Sequence, residues 1–367
     1  MTKTSIAALL LALAPISATA GARPAPVSAP LTTHALDNGT VRASITDAIG
    51  GRLLSFALAG KANFLKIDTA AGDPGARVDA DTGNVGYLGH EVWIGPQKQW
   101  WSHQDANPGR AAAGAEWPPD PYLSLARYTV VRSDRAGIAL ASPASPVNGL
   151  QLDKRYNLVP GRPNSLRLEV DAVNRRRAGV AWDIWFNTRV HGDTRVYVPV
   201  ARREDVAQHA IERGADIVPL AWTLADGVLS IDMAVPEAGG TEAGVIARKA
   251  GRRNGKLLLQ PSGGWMAGFR DGMALVIQFA LQPRAAIHPD QGQVELYNDY
   301  AADDPGNGLL EMEVHAPYRQ LAPGARMAAA ETWTLLPYDG PDTRAAHLDF
   351  LRAQAQALGL AGIGAAR

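Results

Sequence analysis

The stretch "LLEMEVHAP", Leu309 to Pro317, carries two carboxylates and an imidazole at alternate positions. Side chains along a strand alternate between faces, so Leu310, Met312 and Val314 share one face and Glu311, Glu313 and His315 the other. Neighbouring acids taken out of water raise one another's pKa, which suits a general acid or base. An edge strand showing two solvated glutamates to water would read the same way. A second strand, "VAWDIWFNTRVH" (Val180–His191), alternates in the same fashion. Val180, Trp182, Ile184, Phe186, Thr188 and Val190 form a core face, while Ala181, Asp183, Trp185, Asn187, Arg189 and His191 form the opposite one. An indole among directed donors and acceptors fits a hydroxyl-rich ligand, although a polar outer face with one stray aromatic is the plainer reading.

A third stretch, "GYLGHEVWIGPQKQWW", holds Trp93, Trp100 and Trp101, and Trp117 follows in "EWPPDPYL". Four of the nine tryptophans therefore fall within 25 residues, and prolines 118, 119 and 121 stiffen the second loop. Sugar rings offer C–H faces to indoles, so this composition suits a carbohydrate cleft. A loop folded over the core as an apolar plug is the alternative. Trp93 and at least one of Trp100, Trp101 and Trp117 are expected to line the cleft.

Other chemistries find no motif. His90 and His103 stand thirteen residues apart without a close third ligand, so no metal site is expected. "SGGW" (Ser262–Trp265) is not a nucleophile elbow, and no glycine loop leads into a helix as a phosphate site would require. No cofactor is expected. Cysteine is absent, which removes disulfides and thiol chemistry.

The elements that must position these residues are mostly strands. Turn residues punctuate short alternating runs throughout, for example a hairpin about Asp134–Gly137 and later strands at 217–222, 227–233, 257–260, 273–282, 293–299, 309–315 and 326–337. The segment "PDTRAAHLDFLRAQAQALGL" reads as a helix, and a shorter one is expected at Arg203–Arg213. Many strands over 300 residues imply an all-β fold, one large antiparallel sandwich with few short helices. "NRRR" (Asn174–Arg177) and "RKAGRRNGK" (Arg248–Lys256) read as solvated hairpin ends.

The N-terminus has its own signature. Lys3, the apolar run Ile6–Ile16 and Ala18-Thr19-Ala20 read as a signal peptide cleaved near Ala20, too short to span a bilayer. The expected organisation is a signal peptide over 1–20, a flexible leader over 21–37, one β domain over 38–338, and a C-terminal helix and tail over 339–367. A periplasmic or secreted location follows. Without Lys3 the chain has 35 basic and 36 acidic residues, a balance that argues against a nucleic-acid partner. No later run is long and apolar enough for a membrane span, and the oligomeric state is left open.

"GGRLLSFALAGKANFL" resembles the opening hairpin of the aldose 1-epimerase (galactose mutarotase) superfamily. "GYLGHEVWIGPQKQWWSH" resembles its glycine-rich loop. "LEMEVHAPYRQLAPGARMAAAETWTLLPY" is similar to its C-terminal pattern, in which a glutamate-bearing strand precedes L-x-P-G and then E-x-W-x-[LF]. The sequence looks nearest to a bacterial branch known as a domain of unknown function, over about residues 38 to 338. The resemblance implies a β-supersandwich with a sugar cleft across its concave sheet and no cofactor. It also implies a glutamate base on the anomeric hydroxyl and a histidine acid on the ring oxygen. Glu313 matches the glutamate. Trp185 stands near the motif's histidine, so His191, six residues on, and His90, in the earlier loop, are the candidate substitutes.

The combined expectation is an exported carbohydrate-binding protein whose cleft carries Glu313, His191 and His90 as catalytic groups. Trp93, Trp101, Asp183, Trp185, Asn187 and Arg189 would contact the sugar. Aldose 1-epimerase chemistry is the first reading. A hydrolase or lyase using Asp183 and Glu313 as paired acids, or a non-catalytic binding module, are the others.

Overall fold

Strands that are apolar at every second position need a second layer to cover that face. In the computed structural model, which describes residues 31–211, 217–232 and 251–363, two sheets cover each other. The first runs β1 (His34–Asp37), β2 (Val41–Thr46), β3 (Arg52–Leu58), β4 (His90–Gly95), β9 (Val180–His191), β19 (Asp304–His315), β18 (Val294–Ala301), β15 (Arg252–Leu259) and β11 (Val206–His209). Two short strands join it: β20 (Arg319–Leu321) on β9, and β12 (Ile217–Val218), which pairs parallel with β15. The second runs β13 (Trp222–Ala225), β14 (Val228–Ile231), β10 (Arg195–Pro199), β16 (Trp265–Arg270), β17 (Met273–Phe279), β21 (Arg326–Pro337), β8 (Ser165–Asn174), β7 (Leu150–Leu158), β6 (Gly137–Ala141) and β5 (Thr129–Ser133). The fold is the large antiparallel β-sandwich that the strand pattern implies.

Between the sheets, Val92, Ile184, Phe186, Met312 and Val314 of the first meet Leu168, Leu275, Ile277, Trp333 and Leu335 of the second. Each such side chain contributes about 1.5–3 kcal/mol by leaving water. The layer is aromatic at its centre, where Trp333 meets Phe56 edge-on at 6.0 Å.

Among the described residues three helices are short additions: α1 (Pro108–Ala112), α2 (Pro121–Ser124) and α3 (Arg344–Leu358). Thr343 caps α3 by accepting from the Ala346 N–H at 3.3 Å, and Gly359 ends it in the left-handed conformation. Leu348 and Leu351 then pack with Trp265 and Phe269 of the second sheet. Among the described residues no helix is long and apolar enough to cross a membrane.

Three expectations are corrected. The part of the expected helix at Arg203–Arg213 that lies within the described residues is not helical: a single 3₁₀ turn at Arg203–Asp205 leads into β11, whose hydrogen bonds go to β15. The leader does not extend to residue 37, because β1 begins at His34 and pairs with β2, burying Leu36. The basic stretch ending at Lys256 is no hairpin end, since Arg252 onward lies in β15 between two paired strands. The expected signal peptide, the leader up to residue 30 and the tail from 364 lie outside the described residues.

Candidate functional site

Register brings the chemistry together. Trp93, Trp185 and His315 stand directly opposite one another across β4, β9 and β19. Two residues along each strand, Glu91, Asn187 and Glu313 form the next row, with Glu295 of β18 beside Glu313. The row after that is Arg189, Glu311, Tyr297 and Lys256. Alternation turns all of them away from the second sheet. Gly95 lets β4 approach this array, because a Cβ there would come within 2.7 Å of the Asp183 carboxylate.

Two ion chains thread the rows. In the first, Asp183 Oδ1 lies 3.0 Å from His315 Nδ1, and His315 Nε2 lies 3.5 Å from Glu295 Oε1. The Lys256 ammonium then bridges Glu295 at 2.7 Å and Glu313 at 2.8 Å. Trp185 Nε1 donates to Glu313 Oε2 at 3.0 Å, and Lys256 Nζ sits 4.8 Å from the centre of the Trp185 ring. In the second chain Arg52 donates to Glu91 Oε2 at 2.6 Å. Arg189 donates to Glu91 Oε1 and, through Nε, to Glu311 Oε1 at 2.8 Å. The Arg189 guanidinium also lies 4.6 Å over the Trp93 ring.

Charges buried this deeply persist only where each meets an opposite charge. Burial works against a charged His315, but Glu295 and Asp183 outweigh it and lift the imidazole to about 9. Burial also opposes the Glu295 carboxylate, yet Lys256 and His315 hold it well below the usual range. Burial pushes Glu313 up to about 8, Glu311 and Glu295 add to the rise, and Lys256 opposes it. Of the two carboxylates sharing Lys256, Glu313 is therefore the one that holds a proton near neutrality. Donor atoms of Glu295, Glu313 and His315 all fall within 4.8 Å of one another, close enough for a metal ion. The Lys256 ammonium already stands in the cation position between the two carboxylates.

Beside these rows opens a pocket of about 330 Å³, walled by Trp93, Trp117 and Trp185 and lined also by Arg189, Glu311 and Lys256. A wider depression of about 840 Å³ lies near the start of β9, beside Gln99, Arg176 and Tyr318. Arg176 there is spent on the backbone carbonyls of His103, Pro146 and Val147, and the perturbed acids and imidazole lie elsewhere.

The sequence-derived residues divide. Trp93, Trp185 and Arg189 border the pocket, while Asp183, Asn187 and Glu313 share its face but are buried below it. His90 is corrected: it stands an odd number of residues from Trp93 and so points between the sheets. There it stacks on Phe186 at 5.9 Å, meets Trp333 edge-on at 5.0 Å and bonds Thr188 through Nδ1 at 3.0 Å. Burial, helped by Lys154 and Arg189, keeps its pKa well below the usual imidazole value. His191 is corrected too. It has the right face but lies four residues beyond Asn187, about 13 Å along the strand, with Nδ1 bonded to the Gly306 carbonyl at 2.9 Å. Trp101 is a third correction: it is fully buried, donates to the Pro118 carbonyl at 2.7 Å and carries Arg110 4.3 Å over its ring. The tryptophan-rich loop thus does both jobs, since Trp93 and Trp117 wall the pocket while Trp100 and Trp101 pack as a plug.

Sequence reasoning missed Lys256, Glu295, Glu91 and Arg52, and it looked past His315 for the histidine. The alternations Glu295–Tyr297 and Glu91–Trp93 carried a readable signal. Lys256 carried none, because it sat among arginines that read as a turn.

A family model described as a domain of unknown function, DUF4380, matches residues 32–336. The chain belongs to the DUF4380 family. Solved structures similar to this DUF4380 chain include the Slr1438 protein of Synechocystis sp. PCC 6803, at 12% identity and a TM-score of 0.51, covering 84% of this chain and 97% of that one. A putative aldose 1-epimerase from Escherichia coli K12 has 13% identity and a TM-score of 0.49, over 84% of this chain and 99% of that one. A galactose mutarotase-like protein from Lactobacillus casei ATCC 334 has 10% identity and a TM-score of 0.49, over 83% and 100%. Mutarotase-like structures are thus among the neighbours of this fold, as the sequence motifs led one to expect. At such identities the likeness is one of fold. No curated protein matches the sequence.

Proposed function

We propose that this DUF4380 protein binds a saccharide in the pocket over Trp93, Trp117 and Trp185, and that the ion chain beside it supports proton transfer at the sugar's anomeric centre. One observation carries the reading: three indoles and three directed polar groups, Arg189, Glu311 and Lys256, line the same cavity. Indole faces take the C–H faces of a sugar ring while the charged groups exchange hydrogen bonds with its hydroxyls. A volume of about 330 Å³ is at the small end of ligand pockets and suits one or two rings.

The proton-transfer half rests on Glu313 and His315. A carboxyl lifted to about 8 exchanges its proton near neutral pH, and a charged imidazole two residues away is an acid. In this reading the ionised fraction of Glu313, small near neutral pH and growing toward pH 8, is the base, His315 replaces His90 and His191 as the acid, and Lys256 links the chain to the pocket. The paired-acid chemistry of a glycosidase gains less support, because Asp183 is buried and its Oδ1 is engaged in orienting His315. Export is part of the proposal, on the strength of the apolar run Ile6–Ile16 and Ala18-Thr19-Ala20.

The test is a titration with D-glucose, D-galactose, D-mannose and their common disaccharides, read by tryptophan fluorescence and saturation-transfer NMR. Anomeric interconversion of each bound sugar is then followed by NMR. Failure of every sugar to bind at millimolar concentration removes the pocket reading. Binding without faster interconversion removes the catalytic half and leaves a binding protein.

A further inference from the structure

Of the five members of the chain from Asp183 to Glu313, Lys256 is the one that borders the pocket. An ammonium has three N–H donors. Glu295 and Glu313 take two of them at 2.7 and 2.8 Å, which leaves one. Across Tyr297 in the same row stands Glu311, whose Oε1 accepts from Arg189 Nε at 2.8 Å, leaving Oε2 for another donor. Both side chains are 13% exposed, and both open on the same cavity. Their Cα atoms are two strand spacings apart, about 9.6 Å.

We propose that Lys256 and Glu311 are the pair that selects the ligand. The Lys256 ammonium donates to one oxygen of a neutral pyranose, and the Glu311 carboxylate accepts from the hydroxyl beside it. The inference rests on the saccharide reading above and names the part of the sugar that is read. Charge decides for a neutral sugar over a sugar acid. Lys256 is already matched by Glu295, and Glu311 and Glu91, which also line the cavity, are balanced by Arg189 and Arg52, so the lining offers an incoming carboxylate no net positive charge. Arg189, the other cation in the lining, is likewise spent on Glu91 and Glu311.

The test uses whichever of D-glucose, D-galactose and D-mannose binds the wild-type protein most tightly, together with its single-deoxy analogues and its uronic acid. Calorimetric titration should show Glu311→Gln weakening the parent sugar about ten- to a hundredfold, the range for a hydrogen bond to a charged group. The deoxy analogue that wild type rejects should then bind Glu311→Gln as well as the parent does. Lys256→Met should show the same insensitivity at the neighbouring position, and the uronic acid should bind wild type more weakly than the parent. If Lys256→Met does not fold, Glu311→Gln decides alone, since glutamine keeps the shape and the acceptor for Arg189. Equal losses for parent and every deoxy analogue, or unchanged affinity in a folded variant, overturn the pair while the saccharide reading stands. A wild-type protein that binds none of the three sugars brings down both.

Discussion

Removing the Lys256 ammonium is the most informative single perturbation of the site. In Lys256→Met, Glu313 loses a neighbour but already holds a proton near neutrality, so its penalty is small. Glu295 is the group left exposed to the change. It keeps the Gly292 N–H at 3.0 Å and His315 at 3.5 Å, but loses its contact at 2.7 Å. Breaking a buried ion pair costs about 3–5 kcal/mol, and the remaining partners put this case at the lower end. At about 2.1 cal/mol/K per residue, the roughly 310 described residues carry an unfolding entropy of about 0.65 kcal/mol/K, so ~3 kcal/mol lowers Tm by about 5 °C. The loss should depend on pH. In wild type the Glu295 pKa is depressed below its unfolded value of 4.5, so it contributes stability above pH 4.5 that disappears as pH falls through the depressed value. The gap between wild type and Lys256→Met should therefore be fully present above pH 4.5 and close as pH falls further. Scanning calorimetry from pH 2 to 8 measures it, and Lys256→Met/Glu295→Gln should recover most of the loss. A variant that melts with wild type at pH 7 refutes the chain as an energetic unit, because the methionine would then replace the ions at no cost.

Three further outcomes are expected. Glu331, buried and lifted to about 8 by burial against the Trp333 hydrogen bond, keeps its proton when folded and loses it when unfolded between pH 4.5 and 8. Stability should fall as pH rises through that window, and Glu331→Gln should flatten the fall, raising Tm at pH 8 and leaving it near pH 4.5 unchanged. Trp117 is 50% exposed, so Trp117→Ala should leave Tm nearly untouched and weaken sugar binding, whereas Trp101→Ala should cost about 3–5 kcal/mol of stability; equal melting shifts for the two would contradict the division of that loop. Mass spectrometry of protein from its native host should find a mature N-terminus at Gly21, and an intact Met1 form would count against export.

Much of the site was legible where one strand carried it. The face of Val180–His191 that gathers Asp183, Trp185, Asn187 and Arg189 follows from alternation alone, as does that of Glu311, Glu313 and His315. The same rule speaks against naming His90 and Trp93 together, since an odd spacing puts them on opposite faces of β4. What alternation cannot supply is which strand lies beside which. Glu295 and Lys256 reach Glu313 only because β18 and β15 follow β19 in the sheet, an order fixed by long-range packing. Trp101 misled for a different reason: an indole in a glycine-rich loop packs against Arg110 or against a sugar with the same surface, and its sequence neighbours do not differ.

The ion chain across β9, β19, β18 and β15 has a consequence for folding as well as for chemistry. A strand slipped by one residue exchanges its two faces. For β19 that would drive Glu311, Glu313 and His315 into the aromatic layer around Trp333 and leave Met312 and Val314 against the Lys256 ammonium. No rearrangement of side chains alone would rescue either layer. The charges that equip the pocket therefore also act as an alignment key for the first sheet, penalising every misregistered pairing of these four strands. A substitution that tunes the site also loosens the key, so Lys256, Glu295 and Glu313 should tolerate change together more readily than one at a time.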